Sequence, residues 1–188
     1  MSGVSRLAGT LAGRVCVTVA ACVLLALSVG GCGRPKSAGT TLRVAMWGEP
    51  EEQRRVEEAS RAFEAANAGV RVQLEIAPGT HIAGGVTAYE QKLIVLIAAR
   101  NAPDVMYLPR ERYEFYAEKG ALVNLEPFIE RNDDSRRLPP GSLEGMRVGG
   151  GIYGLARDSG TVLAVSAQTR HPEAAWELLL SIAGADRR

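Results

Sequence analysis

The sequence predicts an α/β fold, a mostly parallel sheet with helices on both faces. Strand-like stretches at 41–47, 70–76 and 104–108 alternate with helix-like stretches at 49–66 and 88–100. Strands and helices alternating at this spacing build βαβ units, whose crossover helices cover a parallel sheet. The run 88–108 shows the pattern best. Tyr89, Leu93, Leu96, Ile97 and Arg100 recur three and four apart, so one side of a helix is almost wholly apolar and needs a sheet to lie on. Asn101 and Pro103 stop that helix, and the chain re-emerges as the short apolar run Asp104-Val105-Met106-Tyr107-Leu108. In open α/β sheets ligands sit beyond the carboxyl ends of the strands, which directs attention to residues 107–110.

The chain in order begins with an export signal. Arg6 and Arg14 precede the uncharged run 15–29, the n-region and h-region of a secretory signal over residues 1–31. The run is short for a membrane span, which needs roughly 20 apolar residues. It ends in Val29-Gly30-Gly31-Cys32, which resembles the lipobox of bacterial lipoproteins; lipid on Cys32 would then anchor the cleaved chain to the membrane. Cys16 and Cys22 fall inside the h-region, so Cys32 alone remains after cleavage and has no partner for an internal disulfide. A plain signal peptide with an incidental cysteine, or an uncleaved anchor, stays open. Residues 32–41 read as a flexible tether, and residues 42–188 as one α/β domain. Without Arg6 and Arg14 the chain is near neutral, and nothing in its charge suggests nucleic-acid binding.

Within the domain, 41–47 carries β-formers and ends in Trp47-Gly48. Glu49, Pro50, Glu51 and Glu52 open a helix, because acid and proline suit a first turn with free amide groups. Val56, Ala59, Phe63 and Ala66 form its apolar stripe, and Asn67 and Gly69 end it. Val70, Val72, Leu74 and Ile76 alternate with Arg71, Gln73 and Glu75, the period of a half-buried strand. Residues 78–85 read as loop. Beyond the third strand, 111–119 reads as a helix ended by Gly120, and 124–131 as a short helix around Pro127. Residues 132–151 read as loop, with Gly149-Gly150-Gly151 a turn. Residues 152–156 and 162–166 read as strands. A final helix starts at His171-Pro172-Glu173, with proline at its first position and Trp176 on its apolar side.

These segments resemble the family 1 extracellular solute-binding proteins. The resemblance is carried by Leu42-Arg43-Val44-Ala45-Met46-Trp47-Gly48, Tyr89-Glu90-Gln91-Lys92-Leu93, Ala102-Pro103-Asp104-Val105, Tyr116-Ala117-Glu118-Lys119-Gly120-Ala121-Leu122, Tyr153-Gly154-Leu155 and His171-Pro172-Glu173-Ala174-Ala175-Trp176-Glu177. It implies a periplasmic-binding-protein-like (type II) lobe in the substrate-binding component of an ABC importer. Such a component takes a carbohydrate or similar polar solute outside the cytoplasm and delivers it to permease subunits in the membrane. Family members are about twice this length, with two lobes joined by hinge strands. Here the second lobe is largely absent, with a junction near 159–161. The alternative to a receptor is a non-transporting surface lipoprotein, or a truncated remnant of such a receptor.

A sugar site combines flat apolar platforms with planar polar groups in a concave setting. Trp47 is the strongest platform, with core packing as its competing role. Glu49, Tyr89, Tyr107, Arg110 and Asp158 are the further ligand candidates, while Trp176 reads as core. Catalysis and cofactors are not expected. His81 and His171 have no acidic or cysteine cluster at metal-ligand spacing, and Ser159 lacks the nucleophile-elbow pattern. The triple glycine lacks the Lys-Ser/Thr of a phosphate loop, and Asp133-Asp134 reads as a solvated pair.

Overall fold

The computed structural model describes residues 39–77, 87–131 and 136–184. The signal segment, Cys32, most of the tether, His81 with its loop and Asp133-Asp134 lie outside the described residues. A five-stranded sheet in the order β2-β1-β3-β7-β6 organises the fold. Its strands are β1 (Thr40–Met46), β2 (Val70–Ile76), β3 (Val105–Pro109), β6 (Gly154–Ala156) and β7 (Thr161–Val165). β1 pairs in parallel with β2 on one side and β3 on the other, while β7 runs antiparallel to both β3 and β6. β1 therefore starts at Thr40, inside the stretch that the sequence assigns to the tether.

Burial follows position in the sheet. β3 lies between two strands beneath helices, and Val105, Met106, Tyr107 and Leu108 are all buried, as a strand covered on both faces requires. β2 is an edge strand and keeps its half-buried alternation from Val70 to Leu74; at its end the pattern reverses, with Ile76 exposed and Glu75 partly buried on Arg43 and Lys92. Helix α1 (Pro50–Ala66) packs against β2 and against the last helix, α5 (Pro172–Gly184), on one face. Val56, Ala59 and Phe63 are its buried apolar residues. Helices α2 (Ala88–Ala98) and α3 (Arg110–Glu118) cover the other face, linked by Arg112 on Glu90 at 3.3 Å. The opposite placement of α1 and α2 follows from right-handed crossovers leaving β1 and β2 in opposite directions across the sheet.

α2 departs from its predicted form at both its end and its face. It stops at Ala98, because Arg100 takes a left-handed conformation at φ 54°. The amides of Arg100 and Asn101 then return to the carbonyls of Ile97 and Leu96, a Schellman closure that arrives before Pro103 can act. Of the predicted stripe only Leu93 is fully buried, and Arg100 is exposed. At its start the Thr87 side chain accepts from the Glu90 amide while Glu90 accepts from the Thr87 amide, a capping box.

Residues 132–151 are not all loop. β4 (Arg147–Val148) and β5 (Gly151–Ile152) form a hairpin, and Gly149 and Gly150 both hold positive φ, 54° and 92°, as a two-residue primed turn needs. Helix α4 (Glu126–Arg131) precedes this region, and the Leu125 amide donates to the Ile152 carbonyl at 2.6 Å. The predicted strand 152–156 is two strands, β5 and β6, separated by Tyr153. Tyr113 of α3 holds that break: its hydroxyl donates to the Met146 carbonyl at 2.6 Å and accepts from the Tyr153 amide at 2.9 Å.

Gly154 follows directly and has no room for a side chain. A Cβ there would lie 2.5 Å from Val162 Cγ1 and 2.9 Å from the Leu163 carbonyl oxygen. Gly154→Ala is therefore expected to cost about 1–3 kcal/mol, the usual range for overpacking. Urea unfolding of the two proteins measures it, and an unchanged midpoint would count against this packing.

Candidate functional site

The carboxyl ends of β1 and β3 point to one edge of the sheet, at the place where the strand order reverses. A cavity of about 350 Å³ opens there, lined by Trp47, Glu49, Glu51, Glu52, Arg55, Tyr107, Arg157, Asp158 and Thr161 among others. It stands near the lower end of the roughly 300–1,000 Å³ of small-molecule sites. Trp47 is half-buried, so it both leans on the core and borders the cavity. Two perpendicular rings fix its plane. Tyr89 stands edge-on at 4.8 Å and Tyr107 at 5.7 Å between centroids. Such T-shaped pairs add about 0.5–1.5 kcal/mol beyond the area they bury, so the indole has one preferred attitude.

The predicted site residues divide by position. Trp47, Glu49, Tyr107 and Asp158 border this cavity. Tyr89 stands behind it: the hydroxyl is shared between the carbonyls of Tyr107 at 2.8 Å and Ala45 at 3.2 Å, tying α2 to β3 and β1. Arg110 opens α3 and borders an adjoining cavity of about 290 Å³, whose lining also includes Arg157 and Asp158. Trp176 is buried in the core at 1% exposure.

Sequence reading passed over Glu52 and Arg157, which form the floor. The two oxygens of Glu52 take different donors, the Tyr107 hydroxyl at 2.7 Å and Arg157 Nη2 at 2.7 Å. The Arg157 guanidinium also lies over the Tyr107 ring, 5.8 Å from its centroid. Glu52 stands in the first turn of α1, where the helix dipole already favours a carboxylate. That local explanation concealed its second use, because Arg157 is 105 residues away in sequence. Arg157 itself opens a tight turn between β6 and β7. Its amide donates to the Thr161 carbonyl at 3.0 Å, and the Gly160 amide donates to Asp158 Oδ1 at 2.8 Å. The junction predicted near 159–161 falls in this turn.

Beneath the site lies a group of buried phenols. Tyr89 is held well above the usual phenol range by burial first and then by Tyr116 and nearby carboxylates. Tyr116 is pushed up to about 12 by burial and by Glu90, with Arg112 partly offsetting them. Its hydroxyl has no hydrogen-bond partner among the described residues. In the unfolded chain tyrosine ionises near pH ~10. The stabilising effect of the neutral Tyr116 is thus intact below about pH 10 and is lost as pH rises toward about 12, since the unfolded chain releases its proton first. Urea midpoints are expected to fall across that window, and Tyr116→Phe should make the fall shallower without loss of stability at neutral pH. An equally steep fall in the variant would assign it to other groups.

Among the described residues no group of three His, Cys, Asp or Glu side chains could hold a metal ion, and no helix is long and apolar enough to cross a membrane. The described residues form one periplasmic-binding-protein-like lobe, with the candidate surface at the topological switch point of its sheet. Solved structures that share its fold include family 1 extracellular solute-binding proteins. It is similar to an extracellular solute-binding protein of family 1 from Alicyclobacillus acidocaldarius, at 29% identity and a TM-score of 0.52 over 63% of this chain and 28% of that one. The sugar-binding protein MalE from Xanthomonas citri matches at 28% identity with the same TM-score of 0.52 and the same shares of 63% and 28%. A periplasmic solute-binding protein from Pectobacterium atrosepticum shares the fold at 24% identity, a TM-score of 0.52 and shares of 63% and 27%. The chain thus spans little more than a quarter of the length of these proteins. No protein-family model matches it, and no curated protein does.

Proposed function

We propose that this chain is the solute-binding component of an ABC importer, taking a carbohydrate or similar polar solute without chemical change. The observation that carries the reading is Trp47, half-exposed at the end of β1 and held by two perpendicular tyrosines beside a cavity lined with charged hydrogen-bonding groups. A ring face stacks on the indole while hydroxyls meet the carboxylates and guanidinia, the combination a sugar requires. Likeness to a sugar-binding MalE supports the same ligand class. The protein works outside the cytoplasm, held to the membrane through lipid on Cys32 after removal of residues 1–31, with residues 32–41 as tether and 42–188 as the binding domain. It hands its solute to permease subunits.

Calorimetric titration of the soluble 33–188 form against a panel of sugars tests this reading. Saturable heat with at least one sugar is expected. No heat with any of them, from a cooperatively folded protein, would refute binding. Incorporation of labelled palmitate that disappears in Cys32→Ser tests the anchor separately. The described residues form one lobe, which favours a second reading, a surface lipoprotein that does not transport. One lobe offers half of a cleft, and affinity falls with the surface left unburied. Binding without sugar uptake in cells that carry the permease would select that reading.

A further inference from the structure

Strand β2 stands first in the order of the sheet, and among the described residues it pairs with β1 alone. Its outer edge therefore presents backbone donors and acceptors, a template for another extended chain. The amides alternate in direction. That of Ala77 points inward to the Met46 carbonyl at 2.9 Å, so those of Val70, Val72, Leu74 and Ile76 turn outward. The Val70 amide closes the preceding turn on the Asn67 carbonyl at 3.0 Å. The Val72 amide is taken by a side chain, donating to Glu64 Oε1 at 2.6 Å. Glu64 stands in the last turn of α1, where the helix dipole disfavours a carboxylate, so its place is explained by the strand and not by the helix.

The strand is also self-complementary about Gln73. Laid antiparallel on a second copy with Gln73 opposite Gln73, Val70 meets Ile76, Arg71 meets Glu75 and Val72 meets Leu74, each pair occurring twice. Apolar residues then face apolar ones on one side of the ribbon, and opposite charges meet on the other. Arg71 and Ile76 are exposed, while Glu75 already gathers Arg43 at 2.6 Å and Lys92 at 3.2 Å. In this register Val72 and Leu74 are a hydrogen-bonded pair, each amide donating to the other's carbonyl. Glu64 occupies the amide that the pair needs. We propose that the outer edge of β2 is a pairing surface for a second copy of this chain, and that Glu64 holds it closed by accepting the Val72 amide. No residue of β2 borders the Trp47 cavity or the Arg110 cavity, so the surface is independent of the solute.

Sedimentation velocity of the full chain over a range of concentrations tests it, with the wild type as the reference for association through any other residues. Glu64→Ala is expected to self-associate at least ~10-fold more tightly than the wild type, since a charged hydrogen bond is released in each copy. Glu64→Met, which lacks an acceptor but keeps a helix-favouring stem, should do the same and serves if the alanine variant does not fold. Glu64→Gln retains an acceptor oxygen for Val72 and should stay close to the wild type. Arg71→Glu added to Glu64→Ala sets like charges opposite each other at Glu75 and should remove the gain. Association of Glu64→Ala and Glu64→Met no tighter than that of the wild type, a gain that Arg71→Glu leaves intact, or an equal gain in Glu64→Gln would overturn the guarded edge.

Discussion

Trp47→Ala is expected to weaken sugar binding by at least ~30-fold, about 2 kcal/mol, the level at which a residue dominates a binding surface. The indole is the exposed aromatic face at the mouth of its cavity, with Tyr89 and Tyr107 set edge-on against it. Removing it takes away the stacking surface and the partner of both tyrosines. The fold should survive, because Trp47 is half-buried and the sheet beneath is closed by Met46, Tyr107 and Leu108. Titration calorimetry reads the affinity and a thermal melt reads the fold. Affinity within ~3-fold of the wild type would return Trp47 to the role of a core residue. Trp47→Phe should recover part of the loss, since a smaller ring still stacks.

The second tryptophan should behave in the opposite way. Trp176→Ala is expected to cost about 3–5 kcal/mol, the range for deleting a buried aromatic side chain. Trp176 is 1% exposed on α5, beside Phe128 of α4 with ring centroids 6.0 Å apart, and belongs to the same core as β7. A domain holds only about 5–15 kcal/mol in total, so this one change removes a large share of it. For a chain of this size each kcal/mol moves the melting point by roughly 2–4 °C, which places the expected drop near ~10 °C. Thermal melts of the soluble form decide. A drop of only a degree or two would mean that α5 contributes little to the lobe.

That contribution matters because α5 and β7 reach the first three strands only through long-range contacts. Asp104 gathers them: one carboxylate oxygen accepts the Arg43 amide at 2.8 Å, the other accepts the Thr169 hydroxyl, and its carbonyl accepts the Ser166 amide at 2.9 Å. Residues 161–184 thereby complete a lobe whose first three strands lie between residues 40 and 109.

Much of this layout is legible in sequence for a physical reason. Val70 to Leu74 alternate because an edge strand has one face on the core, and Val105 to Leu108 are uniformly apolar because a central strand has two. Pro50 with the acids after it, Gly120 and Pro172 mark helix ends through local backbone chemistry that needs no tertiary partner. Trp47 and Tyr107 could likewise be placed beside one another once their strands were paired. The hairpin 147–152 escaped because its strands are two residues each, too short for a period to register. Burial of α2 was overstated because periodicity shows which residues could face a sheet and not how closely the helix lies on it; Leu96 and Ile97 are only partly buried and Arg100 is exposed.

What the sequence by itself determined is the order of the main strands and helices, their mainly parallel arrangement, and the edge of the sheet at which Trp47 and Tyr107 lie. Those properties are written in periods of two and 3.6 and in capping residues, all of them local. Only the tertiary structure decided that Glu52 takes Tyr107 on one oxygen and Arg157 on the other, that Tyr89 stands behind the platform, and that Arg110 borders a second cavity across a shared wall. Each of those depends on side chains far apart in the chain meeting within 3 Å or so of one another, which no local pattern encodes.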